Sequence, residues 1–483
     1  MHAVGPGNPR AEGANQFRIE HHRGVLLASD GSPVHISLGG RSVSERSANQ
    51  RRPPQTPAGF LDRDEITGII VSSLAAGVHA VELAGESGIG KSWLMRHAGA
   101  QAQPYFSDGV VRLPPGMRGG FDLLQALFDA FYSVDARCRP GRLELRERLA
   151  GKQVLLLADE AALDDRAVEQ LRDVAPDCAL LSSTREPTLR RASAPIVLHG
   201  LPTADAMTLI ERARGAPLEG AAFGAALERC QAEGGHPERL GRTDESGMRA
   251  GSSTRLTSDA RAVLDTLAAF HPQPVLSTVL AELSAVPRAH ANARSLMDDG
   301  WCYEDEGWLR VAPHALGRLE ATPEQGLRRR CDALVRLGRH VGRLSYPVDP
   351  SRLALPLLWF GLARAREADA WADVVAIGRC WDLPLTLMTL WDAAKRLLEW
   401  HAEAAWTLAD LRERAWALHQ HGTLELAQGY PPLAAQLLRE AFALAQRDGD
   451  AALAASARHH LGWLTPEAPP GGWDNMPTGS LQD

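Results

Sequence analysis

The chain has 483 residues, 45% of them hydrophobic and 23% charged, with a formal net charge of −7. This is the profile of a globular protein of roughly three domains, and the acidic balance argues against a broad DNA- or RNA-binding surface. There is no run of apolar residues long enough to span a membrane and no basic-then-apolar leader at the N-terminus, so a cytoplasmic protein without membrane contact is expected. The six cysteines (Cys138, Cys178, Cys230, Cys302, Cys331, Cys380) form no C-x-x-C pair, which fits a reduced compartment without disulfides or zinc.

In chain order, residues 1–50 predict a short β-ribbon, with turn chemistry at Ser29-Asp30-Gly31-Ser32, followed by a flexible linker. From 58 to 200, strand-like runs alternate with helical periods, the pattern of a parallel α/β domain. Residues 201–242 look helical throughout. Residues 254–320 carry helices and then a hairpin, Trp301–Tyr303 with Trp308–Val311, about a turn at Glu304–Gly307. From 325 to 464 the chain is rich in Ala and Leu, and 465–483 is expected to be a disordered tail. Ala417–Leu424 (ALHQHGTL) recurs forty residues on as Ala457–Leu464 (ARHHLGWL), and Ala434, Leu438 and Ala441 stand at packing positions of a helix pair. That resembles the tetratricopeptide class. The Trp positions of this region read as core between paired helices, and the run Arg137–Arg148 as a solvated helix face.

The chemistry concentrates after the strand His79–Ala84. There Gly85-Glu86-Ser87-Gly88-Ile89-Gly90-Lys91-Ser92 runs into a helix opening at Trp93, which is G-x-x-x-x-G-K-[ST] in its required strand-to-helix setting. Gly85, Gly88, Ile89 and Gly90 let the backbone wrap phosphates, and its N–H groups and the helix N-terminus face the anion. Lys91 is expected on the β- and γ-phosphates and Ser92 on Mg2+, so the cofactors expected are ATP or ADP with Mg2+. The buried strand Val154–Ala158 ends in Asp159 and Glu160. Asp159 is the candidate to complete the metal shell. Glu160 either orients or deprotonates the attacking water or is a solvated carboxylate opening the next loop. The strand Ala179–Ser183 leads to Thr184 and Arg185, and Arg185 is either a γ-phosphate sensor or a surface arginine.

These residues, taken in order, resemble the STAND class of signalling NTPases, of the NB-ARC type found in plant disease-resistance proteins, the apoptosome scaffold and many bacterial regulators. Phe60-Leu61-Asp62-Arg63-Asp64-Glu65 resembles the family's opening motif, with Asp62 in place of its Gly, which implies that Arg63 borders the adenine. Phe106–Val111 is similar to the strand after the phosphate-loop helix, Ser183-Thr184-Arg185 to the Thr-Thr-Arg sensor, and His199–Pro202 to the entry of the small helical domain. Gly235-His236-Pro237 resembles Gly-x-Pro, which implies that Pro237 lies against the adenine. Val311-Ala312-Pro313-His314 stands where the family has Met-His-Asp, which implies that His314 touches the β-phosphate, with Ala315 replacing the aspartate.

The fold class implied is an α/β P-loop NTPase domain followed by an all-α helical domain, a winged helix and TPR-like repeats. The function implied is a nucleotide-dependent switch in signalling, regulation or defence, with slow hydrolysis. It would self-associate on activation and meet a protein or other ligand at its repeats. Two alternatives stand beside it. One is an ATP-dependent transcription regulator using the winged helix, against which the basic residues there (Arg255, Arg261, Arg288, Arg294, Arg310, Arg318) are scattered rather than clustered. The other is an AAA+-like remodelling ATPase.

Overall fold

The computed structural model describes residues 24–29, 32–37, 43–46, 61, 63–134, 140–191, 195–241, 256–305, 307–316, 319, 322–344 and 354–464. Phe60 and Asp62 of the opening motif, Cys138, the linkers and the C-terminal tail lie outside them. The chain divides into two compact units, 45–133 with 142–384, and 1–44 with 134–141 and 385–483.

In the second of these units the expected ribbon is present: β1 (Gly24–Ser29) pairs antiparallel with β2 (Ser32–Ser37), Gly24 opposite Ser37. The short strand β3 (Val43–Glu45) follows.

The larger unit opens with α1 (Asp64–Ala75), β4 (Ala80–Ala84), α2 (Lys91–Ala102), β5 (Val110–Arg112), α3 (Gly120–Phe131) and β6 (Tyr132–Val134). After these come α4 (Arg142–Leu149), β7 (Leu155–Ala158), α5 (Asp165–Val174), β8 (Ala179–Thr184) and β9 (Ile196–Val197). Five strands form one sheet in the order β5-β7-β8-β4-β9, and every pairing is parallel. β4, β7 and β8 are buried along their whole length, as parallel strands covered on both faces must be. Leu83, Leu155, Leu157 and Leu181 of the sheet pack with Ile70 and Leu74 of α1 and Leu94, Met95 and Ala98 of α2. The strand expected over Phe106–Val111 begins only at Val110. A turn precedes it, closed by the Gly109 N–H to the Phe106 carbonyl at 2.9 Å and anchored by the Asp108 carboxylate, which accepts the Gln153 N–H just before β7, also at 2.9 Å. The arginine run behaves as a solvated face where it is described, Arg142 and Arg146 both pairing with Asp173.

The helical segment holds α6 (Thr203–Arg214), α7 (Ala221–Ala232) and the single turn α8 (Pro237–Leu240), packed about Ala206, Met207, Ile210, Leu218, Ala226, Cys230 and Leu240. Its entrance and exit are bonded together, the Leu201 N–H donating to the Gly235 carbonyl at 2.8 Å. Gly235 has φ +71°, and a Cβ there would stand 2.2 Å from the Leu201 carbonyl oxygen, so only glycine permits the crossing. The next segment runs α9 (Ser258–Phe270), β10 (Val275–Leu276), α10 (Leu280–Ser284), α11 (Ala289–Asp298), β11 (Cys302–Asp305), β12 (Trp308–Val311) and α12 (Pro313–Leu316). Its sheet has the order β10-β12-β11, antiparallel throughout. Then α13 (Pro323–Gly342) opens with a capping box, the Thr322 hydroxyl on the Gln325 N–H and the Gln325 amide oxygen on the Thr322 N–H. Arg330 and Arg336 of α13 reach back to the Ala269 and Leu283 carbonyls at 2.7 and 2.6 Å. α14 (Leu355–Glu367) and α15 (Trp371–Leu387) follow.

The remaining helices, α16 (Trp391–Thr407), α17 (Leu411–Ala427), α18 (Pro431–Asp448) and α19 (Ala451–Gly462), pack each against the next. Ala434, Leu438 and Ala441 are fully buried, with Leu438 against Gly422. Trp359, Trp381, Trp391 and Trp416 are core residues as expected, but Trp406 is 65% exposed and lies under the Arg414 guanidinium. The chain thus has the fold class expected of it, a parallel α/β sheet followed by helical segments and C-terminal helix repeats.

Candidate functional site

In an open parallel sheet, ligands are met at the carboxyl ends of the strands. Here the Gly85–Ser92 loop leaves β4, Asp159 and Glu160 leave β7, and Arg185 leaves β8, which lies between the other two. The loop is held from three sides. Arg63, 9% exposed, donates through one guanidinium nitrogen to the Ile89 and His199 carbonyls, both at 2.9 Å. Burial holds its pKa below the usual arginine value. Arg63, expected at the adenine, is therefore also a strut joining the loop to the end of β9. His236 is buried, and its Nε2 donates to the Ser87 carbonyl at 3.0 Å. Burial, reinforced by Arg239, keeps its pKa low, so the ring is neutral at pH 7. Lys91 donates to the Gly85 and Glu86 carbonyls, both at 2.7 Å. Its pKa is lowered by burial, with Glu160 and Asp159 opposing the shift.

The acidic end is organised around one hydroxyl. Ser183 Oγ donates to Asp159 Oδ1 at 2.5 Å and accepts the Glu160 N–H at 3.0 Å. Asp159 Oδ1 also accepts from Ser92 Oγ at 3.0 Å. Two oxygens on adjacent positions of an octahedral Mg2+ stand about 3 Å apart, given metal–oxygen lengths of about 2.1 Å. The Ser92 and Asp159 pair therefore fits that ion, which would lend charge neutralisation to bound phosphate oxygens. Glu160 sits in the left-handed region at φ 50°, unusual for a side chain of its size. Its pKa is raised, first by burial and then by Asp159, against the pull of Arg185, Lys91 and Arg310.

Arg63, Gly88, Ile89, Gly90, Lys91, Ser92, Trp93, Asp159, Glu160 and Pro237 line one cavity of about 360 Å³. Leu61, Leu201 and Leu209 add apolar wall, and Tyr303, Trp308 and Arg310 of the β11–β12 hairpin and Pro356 of α14 close it. Two predicted residues stand elsewhere. Gly85 lies at the base of the loop, its N–H on the Arg185 carbonyl at 3.2 Å. The exposed Arg185 side chain borders a neighbouring cavity with Glu86, Ser87, His236 and Arg239. His314 falls in α12, and its side chain lies outside the described residues.

Three contributors were not picked out by sequence. Glu82 is fully buried in β4, and its carboxylate accepts the Thr188 and Leu189 N–H groups and the Thr188 hydroxyl, which ties down the loop carrying Arg185. A lone charge inside an otherwise apolar strand was the available signal. Glu238 and Arg310 form an ion pair at 3.1 Å between the helical segment and the hairpin, and no local pattern joins residues so far apart.

No protein-family model matches the chain, and no curated protein matches it. Among solved structures it is similar to a STAND protein with a tetratricopeptide repeat sensor from Pyrococcus horikoshii, at 12% identity over 85% of this chain and 75% of that one, with a TM-score of 0.35. It is similar also to the Aeropyrum pernix ORC2 protein, solved as ADPNP–ADP complexes, at 14% identity over 55% of this chain and 94% of that one, TM-score 0.24. The replication initiator DnaA bound to AMPPCP and single-stranded DNA matches at 13% identity over 78% of this chain and 96% of that one, TM-score 0.24. Overlap this partial assigns the chain to none of the three.

Proposed function

We propose that the chain is an ATP- and ADP-binding switch of the STAND type, of the NB-ARC kind, working in signalling, regulation or defence. The observation that carries this reading is that one cavity is walled by the phosphate loop, the helical segment and the β11–β12 hairpin. A nucleotide there would touch all three. Its phosphates would lie on Lys91 and the loop N–H groups, its Mg2+ on Ser92 and Asp159, and its base against Leu201, Leu209 and Pro237. Differential affinity for ATP and ADP then sets the arrangement of the segments, and reversing a 1:99 population takes about 5.5 kcal/mol of it. Glu160, whose raised pKa suits a general base, would support slow hydrolysis as a reset. Release of the hairpin would expose a self-association face, and the helix repeats of 325–464 would meet the triggering protein or ligand.

The test is the nucleotide that the purified protein carries, released by denaturation and quantified. Near-stoichiometric ADP in the natural chain and none in Lys91→Ala is the expected result. Equal nucleotide in both overturns the site.

A further inference from the structure

We infer that Arg310 is a phosphate-contacting residue of the nucleotide site, delivered by strand β12, and that Glu238 competes with the nucleotide for it. The inference rests on reading the cavity as a nucleotide site.

Glu238 and Arg310 both line the cavity, and their side chains are 18% and 27% exposed. Arg310 Nη1 donates to Glu238 Oε1 at 3.1 Å and reaches the Pro272 carbonyl at 3.5 Å. The carboxylate sits directly on the phosphate loop: a Cβ built on Gly88 would stand 1.8 Å from Glu238 Oε2. A full negative charge is therefore parked against a loop whose sequence is built for an anion, and a cation is parked beside it. An arriving polyphosphate repels the first and attracts the second. A guanidinium is also the group best shaped to grip phosphate oxygens with two parallel N–H bonds.

The backbone allows this exchange without moving the hairpin. Leu309 and Val311, on either side of Arg310, are buried and paired with Glu304 and Cys302 of β11, so the strand is fixed while the long Arg310 side chain reaches into the cavity. In this structure the hairpin is tied to the helical segment through Glu238. With nucleotide, it is tied to the phosphates themselves, and Glu238 is left without that partner.

The experiment is titration of a fluorescent ATP analogue, with Mg2+, into the full chain, Arg310→Gln and Glu238→Gln, with nucleotide-free thermal midpoints measured alongside. Competition predicts opposite signs. Arg310→Gln should bind about tenfold or more weakly, the loss of one charge-assisted bond, and Glu238→Gln several-fold more tightly. A pair that only holds two segments together would weaken binding in both variants alike, and that result overturns the inference. So would an affinity of Arg310→Gln within twofold of the natural chain. Should Arg310→Gln fail to fold, the sign for Glu238→Gln decides alone. Absence of binding by the natural chain would overturn the nucleotide site itself, an outcome distinct from either of these.

Discussion

The indole N–H of Trp359, on α14, donates to the Gly116 carbonyl at 3.0 Å, and the Gly116 N–H in turn donates to the Asp159 carbonyl at 3.0 Å. The first helix after α13 is thereby bonded to the backbone of the residue fitted to hold the metal. Arg118 stacks over the same indole, 4.8 Å from its centroid. Trp359→Phe keeps the ring but strands a buried carbonyl, at a cost of about 1–2 kcal/mol. Denaturant unfolding of the full chain should show that loss, and Mg2+-dependent ATP binding should weaken with it. Unchanged stability and unchanged Mg2+ dependence would disconnect α14 from the site.

Ser92 and Asp159 share their oxygens in the geometry a divalent ion needs. Asp159→Ala and Ser92→Ala should each retain nucleotide binding in EDTA and lose most of the gain that Mg2+ confers. Calorimetric titration with and without the metal separates the two effects. An undiminished Mg2+ gain in both variants would place the metal elsewhere.

Arg185 leaves β8 on the outer side of the loop, with its carbonyl on the Gly85 N–H. If its side chain turns to the γ-phosphate, Arg185→Ala should narrow the ratio of ATP to ADP affinity several-fold while leaving ADP binding nearly intact. An unaltered ratio would leave Arg185 a surface residue.

Glu82→Ala removes the acceptor of the Leu189 N–H and several bonds to Thr188. Leaving such groups buried and unsatisfied costs about 1–3 kcal/mol each, so the thermal midpoint should fall clearly. Glu82→Gln, which keeps the acceptor oxygen, should recover part of it. Equal stability of both variants with the natural chain would refute the anchoring role.

His419 and His460 touch across α17 and α19, Nε2 to Nδ1 at 3.2 Å, and both are buried. Burial pushes the His419 pKa down to about 4, and burial with the neighbouring His419 and His459 drives His460 well below its usual value. The folded state thus binds fewer protons than the unfolded one between about pH 6.5 and 4. Stability is full above that window and falls as pH drops through it, by about 1.4 kcal/mol per pH unit for His419. A melting series from pH 7.5 to 5 should show the decline in the natural chain, shallower in His419→Gln. A parallel slope in the two would exonerate the pair.

The phosphate loop and the acidic strand end were legible because each is local: a fixed spacing after an apolar run, and two carboxylates after another. The parallel sheet was legible from the alternation of strand and helix periods, and the winding of Ala434, Leu438 and Ala441 into a helix pair from their spacing. Glu82, Glu238 and Arg310 were not legible as site residues, because the ion-pair partners lie 72 positions apart and the Thr188 and Leu189 groups 106 and 107 positions from Glu82. The strand expected over Phe106–Val111 starts only at Val110 because Phe106–Gly109 form a turn, whose Asp108 carboxylate is held by the Gln153 N–H 45 positions away, a contact that local propensity does not register. Trp406 reads as core by spacing, yet its face of α16 is left to Arg414 and solvent.

The bond from Leu201 to Gly235 closes the helical segment on itself at its root. Pro237 and Glu238 follow directly on that closure, so their place in the cavity wall is set by the bond at the root rather than by the loop between α6 and α7, residues 215–220. The cavity wall at Pro237 is thus insulated from that loop, whose Leu218 is committed instead to the segment's own core.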